Sequence, residues 1–233
     1  SPNIGAVYKI DENQRLKVSY GEGFKAPSLT KGSDGFGTGS HGAPFGNDDL
    51  QAETSKSYEL GYEFYGQNST FKSAIFKTDV ENMITTQGIS PQVRYENVNE
   101  AGTKGFELGI EYNINEKHAI NANYTYVQTE DKTTGNKLTY KPENTFNLGL
   151  NSEFAHGISS YLSANYIGEQ YINSSNTSKA SGYTIFNAQV SKKITNDLTA
   201  RIGVDNITDE KFDENKPYYL KSRIAYLGLN YKF

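Results

Sequence analysis

Gly105-Phe106-Glu107-Leu108-Gly109-Ile110-Glu111-Tyr112, followed after Asn115-Glu116-Lys117 by Ile120-Asn121-Ala122-Asn123-Tyr124-Thr125-Tyr126, decides the fold class. Phe106, Leu108, Ile110 and Tyr112 alternate with Glu107, Gly109 and Glu111, and the second run repeats the pattern with amides in the polar set. A period of two belongs to a pleated strand, which sends alternate side chains to opposite faces. Two such runs joined by a short polar connection read as an antiparallel hairpin.

The same alternation recurs along the chain. Leu16, Val18 and Tyr20 alternate with Arg15, Lys17 and Ser19, and Tyr58, Leu60, Tyr62 and Phe64 with Glu59, Gly61 and Glu63. Phe146, Leu148 and Leu150 alternate with Asn147, Gly149 and Asn151. Leu198, Ala200, Ile202 and Val204 alternate with Thr199, Arg201, Gly203 and Asp205. The pattern predicts about eleven strands, near 4–10, 14–23, 54–65, 69–84, 93–114, 118–129, 142–153, 157–170, 180–193, 197–207 and 217–233.

Alternation alone fits a soluble sandwich with its apolar set inward as well as a membrane barrel with that set outward. Composition and connection lengths separate the two. Only 35% of the 233 residues are hydrophobic, which is low for a water-excluding core, yet 13% are aromatic. Disordered chains share the low hydrophobicity but are poor in aromatics. A membrane barrel has both features, because only alternate residues meet lipid, the lumen is polar and aromatic girdles mark the two interfaces.

The predicted connections also alternate. Short ones fall at 11–13, 66–68, 115–117, 155–157 and 195–196; long ones fall at 24–53, 85–92, 130–141, 171–179 and 208–216. A barrel of the outer-membrane type puts short turns at the periplasmic rim and long loops outside. With Phe233 at the periplasmic rim, every long loop lies on the extracellular side. The expected class is therefore all-β, an antiparallel transmembrane β-barrel. Eleven is odd, whereas closed bacterial barrels have even counts and can leave no edge facing lipid. The chain is read as a segment of a larger barrel, and its start at Ser1-Pro2-Asn3 as trimmed or cut from a longer protein.

Several chemistries find no support. There is no cysteine, so neither disulfides nor thiolate metal sites arise. A net charge of −4 offers no electrostatic case for nucleic acid. His41, His118 and His156 are scattered, and no nucleophile–base order, metal-ligand spacing or phosphate-binding glycine motif appears. No catalytic residue and no resident metal or covalent cofactor is expected.

Six segments in order resemble the TonB-dependent receptors of the outer membrane. Gly23-Phe24-Lys25-Ala26-Pro27 is similar to the family's Gly-Phe-Lys/Arg-Ala-Pro strand end. Leu50-Gln51-Ala52-Glu53-Thr54-Ser55 with Glu59-Leu60-Gly61 resembles its Leu-x-x-Glu-x-Ser-x-x-x-Glu-x-Gly strand, preceded by Asn47-Asp48-Asp49-Leu50 where the family has Asn-Pro-Asn-Leu. Asn97-Val98 with Gly105-Phe106-Glu107, the strand opening at Gly182-Tyr183-Thr184, and Val204-Asp205-Asn206-Ile207-Thr208-Asp209 continue the likeness. The terminal Leu227, Leu229, Tyr231 and Phe233 resemble the strand that the barrel-assembly machinery recognises.

The resemblance implies that residues 1–233 form the C-terminal portion of a plugged barrel of about 22 strands. The plug and the TonB box, which engages the energising TonB-ExbB-ExbD complex, would lie outside this sequence. The implied role is an outer-membrane receptor that imports a ferric siderophore, catecholate-type favoured, with the iron complex as cargo. A haem receptor using His41, a cobalamin receptor and a passive porin are the alternatives. His41 sits between the Phe-x-Ala-Pro and Asn-x-x-Leu elements, and imidazole is a sound axial ligand for haem iron.

Extracellular loops capture ligand in this family, and aromatic and basic side chains suit bulky anionic aromatic cargo. Lys25, Phe36, His41, Phe45, Arg94, Tyr95, Tyr140 and Tyr171 are the candidates. Tyr95, Tyr140 and Tyr171 have a second reading as interfacial girdle residues, and Arg94 as the partner of a lumen carboxylate. Glu59, Glu63, Glu107, Glu111 and Asp205 are expected to face the lumen and to serve structure.

Overall fold

In the computed structural model, which describes residues 1–32, 45–87, 94–211 and 222–232, the strands follow the chain in sequence order. They are β1 (Asn3–Lys9), β2 (Gln14–Lys25), β3 (Glu53–Tyr65), β4 (Ser69–Gln87), β5 (Arg94–Asn115), β6 (His118–Asp131), β7 (Asn144–Phe154), β8 (Ile158–Ile167), β9 (Gln170–Tyr171), β10 (Lys179–Ala180), β11 (Tyr183–Lys193), β12 (Leu198–Asp205) and β13 (Ile224–Tyr231). Eleven of them make one antiparallel up-and-down sheet, from β1 through β8 to β11, β12 and β13. The remaining pair, β9 and β10, is a separate two-stranded ribbon inside one loop.

Several boundaries differ from the sequence reading, most of them by one to three residues, and three of them are instructive. The last strand starts at Ile224 rather than 217, where 217–221 lie outside the described residues. The strand predicted over 157–170 stops at Ile167, because the Gly168 N–H closes the ladder on the Asn144 carbonyl. Gln170–Tyr171 is extended but turns away to pair with Lys179–Ala180, so the next sheet strand begins at Tyr183 rather than 180.

The register carries each polar or apolar set unbroken across the sheet. Val18 stands opposite Leu60, Leu60 opposite Ile75, Ile75 opposite Phe106 and Phe106 opposite Tyr126. Further along, Ala122, Leu148 and Ala164 form a row, as do Val190, Ile202 and Leu227. The other face runs from Arg15 to Glu63, Lys72, Gly109, Asn123, Asn147 and Asn165. Glu59, Glu107, Glu111 and Asp205 share that second face, as the alternation requires. On it Lys17 pairs with Glu63 at 2.5 Å and the Arg15 guanidinium lies 5.0 Å from the Tyr65 ring centroid.

The apolar face is the open one. Leu60, Ile75, Leu108, Leu148, Ile202, Leu227 and Leu229 are all exposed, Leu227 by 77%. Among the described residues only Ile84, Ala101 and Ala180 are buried hydrophobics, and no large side chain is fully buried. A sandwich would pack this face against a second sheet. No described residue covers it, which suits the lipid-facing side of a membrane barrel, and it is flanked by aromatics such as Tyr58, Phe146 and Tyr166 toward one rim and Tyr112 and Phe154 toward the other.

The connections sort by rim. Those after β1, β3, β5, β7 and β11 are short, the one after β7 being a single 3-10 turn over Ala155–Gly157. Those after β2, β4, β6, β8 and β12 are the longer ones and share the opposite rim, which is the extracellular one by the rule that long loops face outward.

Candidate functional site

The extracellular rim gathers the candidate residues into two patches. The first joins the β2–β3 connection to the start of β5. Phe45 and Arg94 form an isolated parallel bridge, and the Tyr95 N–H donates to the Phe45 carbonyl at 3.0 Å. The Asn47 amide donates to the Tyr95 carbonyl at 2.9 Å, while the Asn47 N–H bonds the Lys31 carbonyl at 2.8 Å. Lys31 thereby holds its ammonium 5.3 Å from the Tyr95 ring centroid, within cation–π range.

Below this patch the same two segments are stitched again. The Gln51 N–H donates to the Asn97 side-chain oxygen at 2.8 Å, and the Asn97 amide donates to the Gln51 carbonyl at 3.0 Å. Lys25 lies at the end of β2 and pairs with Glu53 at 3.1 Å. Glu53 also accepts the Ile84 N–H at 3.1 Å, so Lys25 is tied to the strand ends rather than projecting free.

The second patch joins the β6–β7 and β8–β11 loops. Asn176 does most of the joining: its side-chain oxygen accepts the Lys137 N–H at 2.7 Å and its amide donates to the Lys137 carbonyl at 3.0 Å. The Asn136 amide reaches the Ser174 carbonyl at 2.9 Å. Tyr140 and Tyr171 then meet through a backbone bond of 2.8 Å, from the Tyr140 N–H to the Tyr171 carbonyl. Tyr140 has φ 58, a left-handed conformation that a bulky residue adopts only where its surroundings impose it.

Across the β9–β10 ribbon, Lys179 stands opposite Tyr171 and places its ammonium 4.9 Å from the ring centroid. Glu169 bonds the same ammonium at 2.5 Å, and that bond raises the Lys179 pKa above the ordinary lysine value. The lysine stays cationic throughout the physiological range. Both patches thus present a tyrosine ring with an ammonium over it.

Six of the eight candidates are placed: Lys25, Phe45, Arg94 and Tyr95 in the first patch, Tyr140 and Tyr171 in the second. Phe36 and His41 lie outside the described residues. Sequence reasoning missed Lys31 and Lys179, which stack on the chosen tyrosines, and Asn176, which sets the second patch. Only Lys179 left a local signal, eight residues beyond Tyr171 in a loop long enough to fold back.

The start of the β12–β13 connection is held by Asn206, 4% exposed. Its amide donates to the Glu210 carbonyl and its oxygen accepts the Glu210 N–H, each at 2.8 Å. Asp209 accepts the Arg223 N–H at 2.9 Å, and this bond lowers the Asp209 pKa below the usual aspartate value. At the C-terminus Leu227, Leu229 and Tyr231 line the outward face of β13, and Phe233 lies outside the described residues.

A one-sided sheet with an apolar outer face, a polar inner face and all long loops on one rim defines the wall of an outer-membrane β-barrel. Residues 1–207 match the family model described as TonB dependent receptor-like, beta-barrel, and the chain belongs to that family. The chain is 28% identical over 258 residues to an iron-regulated outer membrane virulence protein of Vibrio cholerae serotype O1, covering 100% of this chain and 39% of that protein. It is 27% identical over 241 residues to the ferric enterobactin receptor PirA of Pseudomonas aeruginosa, covering 91% of this chain and 32% of that one. A crystal structure of a ferric enterobactin receptor mutant from Pseudomonas aeruginosa, in complex with enterobactin, shares the fold at a TM-score of 0.84 and 23% identity. That superposition covers 100% of this chain and 40% of the other. The chain therefore spans about two fifths or less of the proteins it resembles, and its place is the outer membrane.

Proposed function

We propose that residues 1–233 are the C-terminal wall of a plugged barrel that imports a ferric siderophore of the catecholate type. The observation that carries this is the repeated tyrosine–lysine stack at the extracellular rim, Tyr95 with Lys31 and Tyr171 with Lys179. A ferric catecholate is an anionic complex with aromatic faces. A ring for stacking and an ammonium for the anion answer both properties.

The rest of the receptor follows from the sheet. β1 and β13 are its two edges, and a lipid-immersed edge must be paired. Further strands of the same protein supply that pairing, and a plug inside the barrel takes its energy from TonB-ExbB-ExbD. The barrel-assembly machinery reads the terminal strand, and lipid covers the outer face.

Growth of a receptor-deletion strain carrying the full-length gene, with iron supplied only as ferric enterobactin, tests the reading. Growth should require both the gene and TonB, and Tyr171→Ala with Lys179→Ala should reduce uptake by about tenfold, the worth of losing about 1.4 kcal/mol of ligand contact. Growth on haem alone would transfer the role to the His41 alternative. Dependence on cobalamin alone would remove iron from the assignment.

A further inference from the structure

The inward face divides into two walls of different chemistry. Three neighbouring cross-strand rows change from charged to neutral at the same place, between β5 and β6. In one, Arg15, Glu63 and Lys72 lead through Gly109 to Asn123, Asn147 and Asn165. In the next row toward the periplasm, Glu111 leads to Asn121, Gly149, Ser163 and Asn187. One row toward the outside, Lys17 and Glu107 lead to Thr125, Thr145 and Ile167. Among the described residues, the formal charges on the inward face of β6, β7, β8 and β11 are Asp131, Glu153 and Lys193, each within one residue of a strand end. Four strands at about 4.8 Å spacing make roughly 19 Å of neutral wall.

The charged wall is poorly suited to an anion. Glu59, Glu63, Glu107 and Glu111 outnumber Arg15, Lys17 and Lys72 there, and Lys17 is already bonded to Glu63 at 2.5 Å. On the neutral wall Asn123, Asn147 and Asn165 make no side-chain hydrogen bond among the described residues. Each amide offers two donors and an acceptor without a net charge.

The neutral wall is also dented twice. A hollow of about 630 Å³ in its extracellular half is lined by Tyr161, Ser163, Asn165, Asn187 and Gln189, with Asp205 at its outer end and Tyr226 at its side. A second hollow, of about 420 Å³, lies in the periplasmic half against Asn121, Asn123 and Asn151, with Lys72 and Glu111 on the side of the charged wall.

We infer that the anionic iron complex crosses the barrel along this amide wall, from the outer hollow to the inner one. The inference rests on the import reading and names the path of the cargo within it. A transport path must bind its cargo well enough to admit it and weakly enough to release it. Ammonium groups form charge-assisted bonds to anionic oxygens that are roughly twice as strong as neutral ones, and would retain the complex. Carboxylates would repel it. Amides and hydroxyls donate to the same oxygens as water does, so the complex can exchange one donor for the next. Tyr161 and Tyr226 add aromatic surface at the outer hollow, where the rings of a catecholate can stack.

The test compares surface binding and uptake of ferric enterobactin labelled with radioactive iron, in a receptor-deletion strain expressing the full-length protein. Asn123→Asp, Asn147→Asp and Asn165→Asp together add three charges and almost no volume. In de-energised cells this triple variant should bind as wild type does. In energised cells it should import about tenfold more slowly, because each new carboxylate repels the passing anion. Asn123→Ser, Asn147→Ser and Asn165→Ser together keep the wall neutral and should import at nearly the wild-type rate. Glu59→Gln with Glu107→Gln, on the charged wall, should leave the rate unchanged. A wild-type rate in the aspartate variant would overturn the inference. Equal slowing in the serine variant would also overturn it, since the wall would then serve only to hold what fills the lumen. Faster import by the glutamine variant would move the path to the charged wall. Absence of uptake by the wild-type receptor would instead remove the import reading, and the path with it.

Discussion

Asn176 shows how one residue can hold two loops together. It has φ 56, which its short polar side chain tolerates better than most, and its amide makes both bonds to the Lys137 backbone. Two roles are therefore superimposed, a backbone shape and a side-chain clamp, and two substitutions separate them. Asn176→Gly keeps the left-handed backbone and loses the clamp. Asn176→Ala loses the clamp and also strains the turn. Each lost bond is worth about 1 kcal/mol, so Asn176→Gly should speed amide exchange at Lys137 and Tyr140 without moving the global melting temperature. Asn176→Ala should speed it further. Equal rates in wild type and both variants would mean that the two loops hold each other by other means, leaving Tyr140 and Tyr171 together for a different reason.

At the level of strands, most of the architecture was legible because the pleat writes itself into the sequence. Phe106-Glu107-Leu108-Gly109 can be sorted between faces without any tertiary knowledge, and the sheet sorts it the same way. The boundaries that moved are those where an extended segment leaves the sheet without ceasing to be extended. Gln170–Tyr171 looks like the continuation of β8 but pairs locally with β10. The loop patches were legible only as residue types. Tyr140 and Tyr171 could be chosen for their chemistry, yet their meeting depends on Asn176, in the Tyr171 loop, clamping Lys137 in the Tyr140 loop, and no local pattern records that pairing.

Gly105 was likewise visible as part of a motif but not as a packing requirement. A β-carbon there would sit 2.1 Å from the Tyr126 carbonyl oxygen and 2.8 Å from the Phe76 ring. The first of these neighbours is backbone and cannot swing aside. Gly105→Val should therefore part β5 from β6 and cut the yield of heat-modifiable barrel several-fold. At Gly149 the nearest atoms belong to the Asn121 side chain, which can rotate away. Gly149→Ala should assemble nearly as well as wild type. Equal yields for Gly105→Val and Gly149→Ala would show that the β5–β6 ladder tolerates the crowding.

For the whole molecule, stability must come from a solvent inversion. A soluble domain buries its large apolar side chains, whereas here Leu148, Leu162, Ile202 and Leu229 stay open while amides and ion pairs occupy the other face. Leu148 and Asn147 are chain neighbours near the middle of β7 and belong to opposite faces. They make a matched pair for testing which side lipid occupies. An arginine on the lipid face near the bilayer midplane costs about 2–4 kcal/mol, while lumen positions accept charge. Leu148→Arg should lower the unfolding free energy of the full-length protein in bilayers by that amount, measured by guanidinium titration, and Asn147→Arg should change it little. Were water on that face, Leu148→Arg would place its charge in solvent and cost little, and the difference between the two variants would disappear. The size of the difference between two adjacent residues therefore decides whether hydrocarbon or water bathes the apolar face, and with it whether the rim of long loops stands over a membrane at all.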